Sequence, residues 1–317
     1  MEKSSDLKKD ESSHENHSNT KNANEYFEIA LCGNGLTSEK KSELQNRLRF
    51  ILYALSSAHE EVGYCQGMDY VVAHLLRVLQ DTIEWKALLG KPFPPIISTS
   101  NIEKNFDQSK DRAILVEEVV FRVMDTFLTT YGLRHFYWPE LRCLKTACRV
   151  FEWLVHQKLP VLSDHFEHHE LNVGLFALGW FQTLFLYIPA MPSTTINHMW
   201  DIWLVERSMK IFFRVATAIL FLSQPTLLNH DQEGMMIYLN TFPDATLLKQ
   251  DILIPCALQI KVTNKMLMDI EKRVSRDNDV AHGFEMDINR SETVDQQQLC
   301  ASCSNSFDCN NLTHAFE

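Results

Sequence analysis

The sequence predicts an all-α fold, and three observations carry that reading. Glycine and proline number 10 each in 317 residues, about 3 % apiece, against roughly 7 % and 5 % in ordinary proteins. The chain is therefore short of the turn residues of a β-sandwich and of the glycine-rich loops of a doubly wound α/β fold. Apolar residues recur at three- and four-residue spacing in one segment after another, and no segment reads as a strand. Hydrophobic residues make up 45 % and charged residues 22 %, a globular balance, and the length suffices for one large domain or two small ones.

Residues 1–25 are rich in Ser, Asn, Lys and Glu, and read as a disordered N-terminal segment. A helical domain is expected over 26–275, with order beginning near Tyr26 and Phe27. Its first helix runs from Ser42 through Leu44, Leu48, Ile51, Leu52 and Leu55, with Arg47 and Arg49 between them. After a break containing Gly63, a second carries Met68, Val71, Val72, Leu75, Leu76 and Leu79. Residues 81–111, with Lys91-Pro-Phe-Pro-Pro95 and a Ser/Thr/Asn stretch, read as an insertion loop. Helical spacing resumes at Leu115, Val119, Val123 and Phe127, and again from Leu141 through Leu144, Val150, Phe151 and Leu154.

From Leu171 to His198 there is no Asp, Glu, Lys or Arg, and an apolar run of that length raises a membrane span. Gln182 lies within it, Pro189 and Pro192 stop a helix after about five turns, and no Lys/Arg cluster flanks it. It reads as a buried helix. Two more helices are expected at Ile196–Leu204 and Ile211–Leu222, and one or two within 244–275, ending in Met266–Val274. Residues 276–317 read as an acidic disordered tail.

Thirty Lys plus Arg against 41 Asp plus Glu give a net charge of −11, with no basic run, which argues against nucleic acid as a partner. Eight cysteines are scattered along a chain whose first 25 residues lack the apolar core of a signal peptide. They read as reduced thiols in a cytoplasmic protein.

Few residues announce chemistry. His165, His168, His169 and Glu170 cluster, but Phe166 follows His165 where a metalloprotease helix needs Glu, so the cluster reads as a polar helix end. Cys300, Cys303, Cys309 and His314 imitate a zinc knuckle with irregular spacing and no surrounding apolar residues, and read as incidental thiols. No metal site is expected. Glu60 and Glu61 are adjacent and do not face one another on a helix. No phosphate-cradling glycine loop and no Gly-x-Ser-x-Gly elbow occurs. What remains is Val62-Gly-Tyr-Cys-Gln-Gly-Met68 between two amphipathic helices. Gly63 and Gly67 let the backbone turn sharply or approach a neighbour closely. Between them the Gln66 amide can accept from a water while donating to an oxyanion. From the residues alone, Gln66 reads as a cap of the following helix.

Gly63-Tyr-Cys-Gln-Gly-Met-Asp-Tyr70 resembles the glutamine-finger motif of TBC-domain GTPase-activating proteins for Rab GTPases. Tyr131-Gly-Leu-Arg-His-Phe-Tyr137 and Leu159-Pro-Val-Leu-Ser-Asp-His165 resemble the family's middle helices. Leu178-Gly-Trp-Phe-Gln-Thr-Leu-Phe185, Met199-Trp-Asp-Ile-Trp203 and Phe213-Arg-Val-Ala216 are similar to its Trp-Phe-x-x-Leu-Phe, Trp-Asp and Phe-Arg-Val-Ala elements. The likeness covers about residues 26–225.

The resemblance implies an all-α domain of two helical subdomains that supplies two fingers to a GTP-bound Rab. Gln66 is the implied catalytic residue, positioning the attacking water, with Tyr64, Cys65, Gly67 and Met68 as partner-binding residues. No cofactor of its own is implied, since the Rab carries GTP and Mg²⁺, and the implied setting is vesicle trafficking, cytoplasmic and peripheral on endomembranes. The family's arginine finger comes from Ile-x-x-Asp-x-x-Arg, which counting back from Tyr26–Phe27 places on Ser13, Asn16 and Asn19, followed by Thr20. The arginine position thus falls on Asn19 and the upstream Trp-bearing segment is missing, so the domain is expected to be truncated at its N-terminus. Two functions follow from the resemblance: a catalytic activator of a Rab's GTP hydrolysis, not a stand-alone enzyme, or a pseudo-GAP that binds a Rab or scaffold partner without stimulating hydrolysis. An all-α interaction domain with no GTPase partner is a third.

Overall fold

A computed structural model describes residues 38–82 and 108–273. The segment 1–25, Tyr26–Phe27, Asn19, the tail 276–317 with its Cys300, Cys303, Cys309 and His314, and most of the expected insertion lie outside the described residues. The two ends of that insertion are helical, because α2 extends to Thr82 and α3 begins at Gln108.

The described chain is helical, with no strand among the described residues. In order, α1 is Ser38–Ala58, α2 Met68–Thr82, α3 Gln108–Thr129, α4 Arg134–Tyr137, α5 Arg142–Lys158, α6 Pro160–His168 and α7 Gly174–Gln182. They are followed by α8 Ser193–Glu206, α9 Lys210–Leu227, α10 Gln232–Thr241 and α11 Gln250–Gln259, with residues 264–273 forming α12. Short 3-10 turns at Pro139–Leu141 and Ala245–Leu248 link α4 to α5 and α10 to α11.

The 3.6-residue stripes become the core. Leu44, Leu48, Ile51 and Leu55 of α1 are buried against α2 and α3. Helix α5 packs on α6 and α7, and α9 on α5, α8 and α11. From Ile211 to Leu220 every residue of α9 except Arg214 is at most 1 % exposed, as expected of a helix enclosed on all sides. Trp203 of α8 ties this core to α3. Its indole meets Phe127 at 4.8 Å, Tyr131 at 5.0 Å and Phe212 at 5.5 Å, all near edge-on, the geometry aromatic quadrupoles favour.

The run Leu171–His198 corrects the sequence expectation. It is not one buried helix of about five turns, because α7 stops at Gln182, well before Pro189. Leu184 and Phe185 then take left-handed backbone angles, φ +50° and +71°, which no α-helix continues through. An uncharged run gives no phase to locate such a break. Among the described residues no helix is long and apolar enough to cross a membrane. The stretch 229–243, for which no element is expected, forms α10, started by Asp231, whose carboxylate accepts from the Gly234 N–H at 2.9 Å.

Two buried titratable groups give the fold a pH signature. His74 of α2 lies edge-on to Trp200 and 2.9 Å from Asn197 Oδ1 of α8, and burial pulls its pKa from 6.5 down to about 4. Unfolded chains take up that proton near pH 6.5, so the His74 contribution is complete above 6.5 and lost as pH falls toward 4. Glu271 is pushed from 4.5 up to about 7 by burial. Its contribution is complete below 4.5 and lost as pH rises through 7, so the two slopes oppose each other. Urea denaturation of His74→Gln beside the parent should isolate the first. The stability difference should shift toward the parent by roughly 1 kcal/mol per pH unit between 4 and 6.5, and a pH-independent difference would place His74 in water.

Candidate functional site

The loop between α1 and α2 is built from its two glycines and one histidine. The His59 carbonyl accepts from the N–H groups of Val62 at 3.0 Å and Gly63 at 2.8 Å, turning the chain sharply as α1 ends. Gly63 then adopts φ +64°. Further on, the Met68 N–H donates to the Cys65 carbonyl at 3.2 Å, closing a four-residue turn with Gln66 and Gly67 at its centre. Gly67 has φ +102°, the left-handed third position that type II turns reserve for glycine. A Cβ there would stand 2.9 Å from Gln182 Cγ and 3.3 Å from the Gln182 carbonyl oxygen, whereas one at Gly63 would meet nothing within 4 Å. Gly67 is thus required for both angle and space, Gly63 for angle alone.

Gln182 is the floor of the turn. Its Nε2 lies 3.5 Å from the Cys65 sulfur, and its carbonyl accepts from the buried Tyr137 hydroxyl at 2.9 Å. The left-handed Leu184–Phe185 pair that ends α7 presents that carbonyl. It is held by the Phe185 N–H on the Trp180 carbonyl at 2.7 Å and by the Trp200 indole N–H on the Leu184 carbonyl at 3.2 Å. Backbone angles of this kind cost about 1–3 kcal/mol each and persist only where surroundings fix them.

Asp69, in the first turn of α2, accepts the Gly67 N–H at 2.9 Å, so Asp69 caps this end of the helix. That corrects the reading of Gln66 as the cap: Gln66 is exposed, and its side chain makes no hydrogen bond among the described residues. Burial raises the Asp69 carboxyl, and backbone N–H donors from Gly67, Asp69 and Tyr70 work against that rise. Tyr64 is 55 % exposed, with its phenol pushed up to about 12 by burial and by Asp69 and Cys65, so it stands neutral beside Gln66. Burial also raises the Cys65 thiol, which makes it a protonated hydrogen-bonding group and not a nucleophile.

Of the five residues singled out in the sequence, Tyr64 and Gln66 face solvent, Cys65 is half-buried, and Gly67 and Met68 are buried. The Met68 sulfur receives the Cys65 N–H at 3.3 Å and holds the turn from within. Arg47 donates to Glu117 at 2.8 Å and its side chain is 11 % exposed, while Arg49 lies exposed on α1. The histidine cluster closes α6: His165 Nε2 contacts the His230 carbonyl at 2.9 Å, and His168 is the last residue of the helix. Among the described residues no group of three or more His, Cys, Asp or Glu is arranged to hold a metal ion. Sequence reasoning passed over Gln182 and Tyr137 as site residues. A lone amide in an uncharged apolar run must find a polar partner, and that was the available signal.

A family model described as the Rab-GTPase-TBC domain matches residues 1–228. The chain is 28 % identical over 235 residues to the human ecotropic viral integration site 5 protein homolog, covering 74 % of this chain and 24 % of that protein. It is 28 % identical over 229 residues to the Rab GTPase-activating protein eat-17 of Caenorhabditis elegans, covering 72 % of this chain and 21 % of that protein. The chain thus spans under a quarter of the length of these relatives. In fold it is similar to the crystal structure of the Ypt/Rab-GAP domain of Gyp1p, with a TM-score of 0.51 and 18 % identity over 75 % of this chain and 79 % of that one. The match extends over most of the chain and includes the turn that displays Gln66: the chain belongs to the Rab-GTPase-TBC domain family.

Proposed function

We propose that the chain activates GTP hydrolysis on a Rab-family GTPase, with Gln66 positioning the attacking water. The observation that carries the reading is Gln66 itself: an exposed primary amide at the tip of a turn that Cys65, Gly67, Met68 and Asp69 hold. In the complex the Gln66 carbonyl oxygen accepts from the water, and its NH₂ donates to a γ-phosphate oxygen, a pairing one neutral amide can make at both ends. The neutral Tyr64 ring lies against the GTPase beside it, while Cys65, Gly67 and Met68 fix the turn from below. GTP and Mg²⁺ belong to the GTPase, and the chain contributes no cofactor. Acting on a membrane-attached Rab, the protein would sit peripherally on endomembranes, in vesicle traffic.

A specific observation favours a second reading, a pseudo-GAP that binds a Rab without accelerating it. The arginine-finger position falls on Asn19, and Arg47 is bound to Glu117. An arginine finger contributes roughly 10³–10⁵ in rate, or about 4–7 kcal/mol, which an asparagine does not supply.

Single-turnover hydrolysis across a panel of GTP-loaded Rabs separates the readings. Gln66→Ala should lower stimulated hydrolysis by about a hundredfold or more with Rab binding retained, whereas loss of binding in parallel would make Gln66 a contact residue. Asn19→Arg should raise turnover by about tenfold or more, and an unchanged rate would remove Asn19 from the finger position. Gly67→Ala, strained in angle and crowded by Gln182, should cost roughly 1–3 kcal/mol in urea denaturation and depress hydrolysis. Gly63→Ala should be the milder of the two, and equal effects would mean that the Gln182 contact is unimportant.

A further inference from the structure

Because Gln66 has no side-chain anchor among the described residues, its direction is set by the backbone on either side. Downstream, Gly67 and Met68 are held by Asp69, Gln182 and the Cys65 carbonyl. Upstream, Gly63 has a backbone angle of +64° and open space where a side chain would stand, so no packing on that side of Gly63 resists a swing. The burden falls on His59. Its N–H donates to the Leu55 carbonyl at 2.9 Å, its own carbonyl accepts from Val62 and Gly63, and its ring Nε2 lies 2.8 Å from Asp125 Oδ1 on α3. A carboxylate only accepts, so the ring N–H donates. The His59 side chain is 10 % exposed, which leaves the ring little freedom. Val62 is also buried in the core, but non-directional apolar packing fixes the depth of the loop and not its heading.

We propose that the His59–Asp125 pair is a positioning device for Gln66, fixing the loop's upstream end to α3 so that the amide meets the water in register. The proposal rests on Gln66 acting as the glutamine finger. A plain α1–α3 staple is the competing account, and the protein carries a control for it in Arg47–Glu117, which joins the same two helices at 2.8 Å without touching the loop.

The test compares His59→Ala, Asp125→Ala, the double variant, His59→Gln and Glu117→Ala by stimulated hydrolysis on a GTP-loaded Rab and by amide hydrogen exchange at Gly63, Gly67 and Met68. Positioning predicts that each loop variant lowers kcat by about tenfold or more with KM within about twofold, and speeds exchange at those amides by a similar factor. The double variant should be no worse than either single, and His59→Gln, which keeps a donor, should recover most of both readouts. Glu117→Ala should leave loop exchange and kcat near the parent's despite its lost stability. The proposal is overturned if Glu117→Ala matches His59→Ala, if the double variant is additive, or if loop exchange is unchanged. In a chain that stimulates no Rab, exchange still reads whether the pair holds the loop. If Gln66→Ala abolishes hydrolysis while His59→Ala does not alter it, only the positioning role fails. If Gln66→Ala has no effect, the glutamine-finger reading itself fails.

Discussion

The space between residue 67 and Gln182 is the constraint on which the site depends. A single Cβ at residue 67 would come within 2.9 Å of the Gln182 side chain, so the loop lies against α7 only because that residue is glycine. Gln182 is itself fixed from the far side by Tyr137 and by the strained turn at Leu184–Phe185. That turn is held in place by Trp180 and Trp200. Three motifs distant in sequence, around Tyr137, Trp180 and Trp200, thus converge beneath one exposed amide. The surrounding helices make the floor rigid, and close packing keeps it so.

This arrangement separates display from support. Tyr64 and Gln66 reach solvent, while the chemistry of Cys65, Asp69 and Met68 is spent within the loop. Raised pKa values at Tyr64, Cys65 and Asp69 all trace first to burial, and the two side chains just before Gln66, the Tyr64 phenol and the Cys65 thiol, stand neutral beside it. A neutral amide is suited to bridging a water and a phosphate oxygen, but it does not neutralise charge developing on the phosphates. That second task falls to a cation in the two-finger scheme. Of the described arginines that precede the loop, Arg47 is engaged with Glu117 and Arg49 projects from a helix. On the proposed alignment, the choice between activator and silent binder turns on Asn19.

Much of the fold was legible because amphipathic periodicity is a local property. The stripes of α1, α2 and α5 bury most of the residues that their spacing selects, whereas on α3 Phe127 is buried but Val119 and Val123 are only half-buried, the core face there being Val116, Val120 and Met124. The errors have local causes too. Leu171–His198 has no charge to mark a face, so the break at Gln182 was invisible, and α10 hid because Gly234 and its polar neighbours look like loop. At the site, the two glycines were readable from residue type, but Gln66 was marked only by the family resemblance, since residue type alone pointed to a cap. Gln182, Tyr137, His59 and Asp125 were not readable in either way. Their roles arise from pairs 45 to 117 residues apart, and only the folded chain brings such pairs together.

The central claim is that Gln66, presented on its glycine turn, meets the attacking water. It is tested most directly by the structure of the chain bound to a Rab loaded with GDP, Mg²⁺ and aluminium fluoride, which mimics the transferring phosphoryl group. The account predicts the Gln66 amide within about 3 Å of the in-line water, with the Cys65–Met68 turn unchanged. A complex in which the GTPase's own glutamine holds that water while Gln66 points away would contradict it.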